Sequence, residues 1–88
     1  MADELGDHLT AWRKLQGLTA EQLSERSGIS RATLRKLEHG DAGSSLESFL
    51  RVALSLGILT DVVAAADPYE TDLGRARADE ALPQRVRR

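Results

Sequence analysis

An all-α domain of five helices, followed by a charged C-terminal extension, is the fold predicted by the sequence, and three observations predict it. The 88 residues include one Trp, one Phe and one Tyr, so a core has to be assembled from Leu, Ile, Val and Ala, which favours helices over a sandwich. Large apolar residues recur at helical spacing. Gly, Ser and Thr stand where helices would be capped or stopped. A chain of this length holds one domain with a small core and leaves some burial for a partner chain to finish.

Leu5, Leu9 and Trp12, at i, i+4 and i+7, mark a first helix from about Leu5 to Gln16 that Gly17 stops. Thr19 then offers an N-cap with Gln22 three residues on, the capping-box spacing in which two side chains satisfy two orphan amides. A short second helix from Ala20 to about Arg26 follows, and Gly28 suits a left-handed residue just past its end. Ser30 caps a third helix, Arg31 to Glu38, which ends before Gly40.

Ser44 and Glu47 repeat the capping-box spacing ahead of "LESFLRVALSLG", the fourth helix. Its apolar residues cover most of the circumference, more than one side of a small domain can hide. Phe49, Leu50, Val52, Leu54 and Leu56 are therefore expected to form a homodimer interface. Gly57 breaks the run, Thr60 is positioned to cap a fifth helix over "DVVAAA", and Pro68 terminates it. Residues 1–66 thus form the domain. Residues 67–88, "DPYETDLGRARADEALPQRVRR", have too few large apolar side chains for a core of their own and read as a partly disordered or partner-binding tail. Within it Leu73 to Leu82 can form a weak helix, helped by Arg75 and Asp79 at i, i+4.

Charge narrows the classes of partner. The net charge is -2, but residues 26–40 carry four basic groups and one acidic one, while residues 1–25 carry two and five. Polyanion binding must therefore run through a local patch at Arg26, Arg31, Arg35 and Lys36 rather than through the overall field. Cysteine is absent, which removes disulfides and thiolate chemistry and fits a reducing cytosol. No apolar run reaches membrane-spanning length, and the acidic start "MADELGDHL" is unlike a signal peptide, so a cytoplasmic protein with no membrane partner is expected. His8 and His39 lack neighbouring ligands, and no nucleophile elbow, phosphate loop or carboxylate pair occurs. Neither a cofactor, a metal nor an enzymatic activity is expected.

Two short helices joined by a tight glycine-containing turn, the second opening with Ser and bearing Arg and Lys, have the layout of a DNA-binding helix-turn-helix. Leu34 and Leu37 face inward in such an arrangement, leaving Arg31, Ala32, Arg35 and Lys36 outside. At "GLTAEQLSERSGISRATLRKLEHG", with Trp12 and Arg13 before it, the sequence resembles the phage-repressor-like (Cro-like, Xre) helix-turn-helix family over roughly residues 5–66. The resemblance implies a five-helix repressor-like fold, a double-stranded DNA operator and a homodimer. It also implies an ion pair between Arg13 and Glu38, base-edge contacts at Arg31, Ala32 and Lys36, and phosphate contacts at Ser30, Thr33 and Arg35. Two residues depart from the family pattern: Ala20 replaces a frequent Gln, and Ser24 replaces an Ala at the helix crossing, which is tolerable if its hydroxyl bonds a carbonyl one turn back.

The extension is similar to that of HipB-like antitoxins, which implies a HipA-like kinase toxin as a second partner. The expected function is thus that of a homodimeric repressor that occludes a promoter, the alternative being an interaction module that neutralises a partner with DNA binding secondary.

Overall fold

The computed structural model describes residues 1–81, and Leu82 and the "RVRR" end of the extension lie outside them. The described residues form helices α1 (Ala2–Leu15), α2 (Ala20–Ser27), α3 (Arg31–Glu38), α4 (Leu46–Leu56), α5 (Leu59–Ala65) and α6 (Asp72–Ala81), with a 3-10 turn at Pro68–Glu70 before the last. No strand occurs among them.

Local chemistry sets the first boundaries. Thr19 and Gln22 make a reciprocal capping box at the start of α2, with Thr19 Oγ1 accepting from Gln22 N at 3.0 Å and Gln22 Oε1 accepting from Thr19 N at 2.9 Å. At the other end of α2, Gly28 takes φ 70°, a left-handed conformation that any Cβ would penalise. Its amide and that of Ile29 reach back to the carbonyls of Glu25 and Ser24, and the chain turns within three residues into α3.

The core is a cluster of Leu9, Leu18, Leu23, Leu34, Leu37, Val52 and Leu56, with Ile29, Phe49 and Ile58 packed against it. It lies where α1, α2, α3 and α4 meet. Ser27 of α2 and Ser55 of α4 share a hydrogen bond of 3.0 Å, and buried Ser24 donates to the Glu21 carbonyl within α2 at 2.9 Å, so neither buried serine of α2 is stranded. At the far end of α1, Gln16 Nε2 donates to the Leu56 carbonyl at 2.7 Å, tying that helix to the last turn of α4.

Several expectations are corrected. Helix α1 starts at Ala2 rather than Leu5, and of its predicted apolar stripe only Leu9 is fully buried, Leu5 and Trp12 each remaining 44% exposed. Ser45, not Ser44, caps α4, its Oγ accepting from Ser48 N at 3.1 Å. Ser44 is instead the end of a turn in which its amide bonds the Asp41 carbonyl, and its own hydroxyl is buried without a partner. Thr60 does not cap α5, because that helix starts directly from the Gly57 turn with Ile58 in the cap position. Val52 and Leu56 belong to the protomer's own core, 0% and 4% exposed, and are not available to a second copy. Leu54, at 66% exposure, and half-buried Phe49 and Leu50 remain on or near the surface.

The extension folds back on itself. Asp67 Oδ1 accepts from Tyr69 N at 2.9 Å, Thr71 Oγ1 accepts from Gly74 N at 2.8 Å, and Arg75 donates both to the Tyr69 carbonyl at 2.6 Å and to Asp72 at 2.7 Å. Arg75 therefore pairs within the first turn of α6. This helix packs mainly on the turn at Pro68–Glu70, which in turn contacts α5.

Candidate nucleic-acid interface

Helix α3 is held from both ends and from beneath. Its N-terminus is capped by Ser30, whose Oγ accepts from Thr33 N at 3.0 Å and donates to Thr33 Oγ1 at 2.8 Å. Leu34 and Leu37, 1% and 7% exposed, anchor its inner face in the core. At its C-terminus Glu38 receives Arg13 Nε at 2.8 Å and Nη2 at 3.3 Å, a forked pair reaching across from α1. The third guanidinium nitrogen is also satisfied, Arg13 Nη1 donating to the Leu18 carbonyl at 3.1 Å.

A second contact fixes the same end. Buried Gly6 of α1 lies against the Glu38 carbonyl and the Gly40 amide so closely that a Cβ would fall 2.5 Å from that oxygen. No motif in the sequence flagged Gly6. A lone glycine inside a helical run is the only signal it offers, and the spacing rules give it no partner.

What this scaffold presents outward is basic. Ser30, Arg31, Ala32, Arg35 and Lys36 are exposed, and Thr33 is half-buried. Among the described residues, Arg26, Arg31, Arg35 and Lys36 take part in no ion pair, whereas Arg13, Arg51 and Arg75 all do. The one carboxylate of α3, Glu38, is engaged by Arg13. Arg31 thus projects at the capped N-terminus of α3, its positive dipole end, and Arg35 and Lys36 follow one turn on, a combination suited to polyanions. Arg fits the O6 and N7 acceptors of guanine bidentately, and Lys reaches the same edge as a point charge. Every α3 residue expected from the sequence to touch DNA lies on or beside this one face. The expected interface residues of α4 are divided between core and surface, as described above.

His8 and His39 are exposed, and no group of three His, Asp or Glu among the described residues is placed to hold a metal ion. No helix among them is long and apolar enough to cross a membrane.

Comparison with known proteins agrees with this geometry. Residues 9–63 match the family described as Helix-turn-helix. The chain is also 32% identical over 82 residues to an uncharacterized HTH-type transcriptional regulator, RghRB, of Bacillus subtilis (strain 168), an alignment that covers 93% of this chain and 53% of the other. It spans about half the length of that curated relative. No solved structure matches it at a comparable level. With the family match covering well over half the sequence, the chain belongs to the helix-turn-helix family of the Cro-like (Xre) type.

Proposed function

We propose that the protein is a sequence-specific DNA-binding transcriptional regulator, with no catalytic role, that acts in the cytoplasm as a homodimeric repressor. The observation that carries this reading is the outward face of α3, where Arg31, Arg35 and Lys36 stand unpaired on a helix locked at both ends. Helix α3 enters the major groove; Arg31, Ala32 and Lys36 meet base edges, and Ser30, Thr33 and Arg35 meet phosphates. Two copies related by a two-fold axis read half-sites about 34 Å apart, one helical turn of the duplex. Exposed Leu54 on α4 and Val63 on α5, 66% and 60% accessible, are apolar surface for the second copy. Repression follows from occupying promoter DNA.

Selection of bound sites from random duplexes with the purified chain tests this reading. A palindromic consensus supports both base readout and the dimer; recovery of unenriched sequence overturns the regulator assignment.

A second reading is favoured by the extension. Helix α6 rests mainly on its own preceding turn and leaves Leu73 68% exposed, a helix available to a protein partner such as a HipA-like toxin. Deleting residues 67–88 separates the two roles, because DNA binding should survive while capture of a partner by α6 should not.

A further inference from the structure

The side of α3 that faces the start of α2 carries a cleft of about 420 Å³. Ala20, the first residue of α2, and Ala32 and Leu34 of α3 supply apolar wall, and Arg31, Arg35 and His39 also line it. Ala32 is exposed, Ala20 is half-buried and packs in part against the core cluster, and both line the cleft. Glu38, which also borders the cleft, is occupied by Arg13.

We infer that this cleft receives the 5-methyl group of a thymine in the operator, making Ala20 and Ala32 specificity-determining residues. The inference rests on the DNA-binding reading and adds to it the base that is read. A cleft that brings apolar wall together with the donor-only side chains of Arg31 and Arg35 matches one feature of the major groove: thymine displays its methyl group beside the O4 acceptor. Cytosine places an N4 donor where thymine has O4, which Arg31 and Arg35 cannot accept from. Guanine offers acceptors to the arginines but no methyl for the cleft, and adenine offers a donor and no methyl. A 5-methylcytosine shares the methyl and fails on the donor.

The test uses the full chain and the duplex consensus obtained by site selection, with each thymine replaced in turn by deoxyuridine, which removes the methyl and nothing else. Burial of one methyl predicts a loss of about fourfold in affinity at one thymine per half-site. That loss should vanish in Ala20→Gln, whose longer side chain fills the cleft, and shrink in Ala32→Gly. Replacing the same thymine–adenine pair by 5-methylcytosine–guanine should weaken binding more than deoxyuridine does. A consensus in which no thymine-to-deoxyuridine change costs affinity overturns the inference while leaving the regulator reading intact. A methyl effect that persists undiminished in both variants overturns it as well. Failure to obtain any consensus removes the regulator reading and this inference with it.

Discussion

Arg13 on α1 and Glu38 at the end of α3 are 25 positions apart and meet in a forked ion pair of 2.8 and 3.3 Å, with side chains only 14% and 9% exposed. A pair this sheltered is weak evidence of net stabilisation, because desolvation offsets much of the attraction. Its consequence is asymmetry. Removing one partner strands the other charge, so Arg13→Ala or Glu38→Ala is expected to cost about 3–5 kcal/mol in urea unfolding. Replacing both with apolar residues of similar volume should cost far less, and a double-mutant cycle measures the difference. If the two single variants unfold like the parent, the pair is not what holds the end of α3.

Gly6 makes an independent prediction about the same junction. Alanine normally improves a helix interior by about 1 kcal/mol over glycine. Here its Cβ would meet backbone atoms, the Glu38 carbonyl oxygen at 2.5 Å and the Gly40 nitrogen at 2.9 Å, neither of which can rotate away. Overpacking of this kind costs about 1–3 kcal/mol, so Gly6→Ala should be net destabilising. A raised unfolding midpoint would mean that α1 and α3 are not in the close contact described.

How much of this was legible in the sequence depended on the range of the interactions involved. The cap of α2 at Thr19 and Gln22, the Gly28 turn and the Ser30 cap are local, and their spacing alone specifies them. Leu34 and Leu37 were legible as inward-facing because α3 is short and they are its only large apolar residues. Ser44 and Ser45 are adjacent candidates for one role, and the turn closed by Asp41, which bonds the amides of both Gly43 and Ser44, decides between them. On α4 an apolar residue lies in nearly every direction, so periodicity could not separate buried Val52 and Leu56 from exposed Leu54. The Arg13 and Glu38 pair joins distant segments and is legible only through family resemblance, whereas Gly6 has no such pattern behind it.

Under the proposed regulator function, the basic residues of α3 divide by role. Arg31→Ala and Lys36→Ala should each weaken the preferred operator by about 1–3 kcal/mol and relax base preference at the position they read. Arg35→Ala should weaken all sequences alike and lower the salt dependence by about one phosphate contact. Titrations of operator and scrambled duplex at several salt concentrations distinguish the two patterns. Equal losses on both duplexes for all three variants would leave α3 as a phosphate-binding surface without base readout.

The dimer is tested at Leu54, which the fold leaves 66% exposed while burying its neighbours Val52, Ala53 and Leu56. A charge at an exposed position away from the core changes protomer stability by less than about 0.5 kcal/mol, so Leu54→Lys should leave unfolding unchanged. At a self-complementary interface the same substitution acts twice, once from each copy, and sets two lysines against one apolar patch. Sedimentation should then show the variant as a monomer at concentrations where the parent is a dimer. Affinity for a full palindrome should fall toward that for a single half-site, with base preference within the half-site unchanged because α3 is untouched. A variant that remains dimeric and keeps full operator affinity would exclude the exposed side of α4 as the contact between copies.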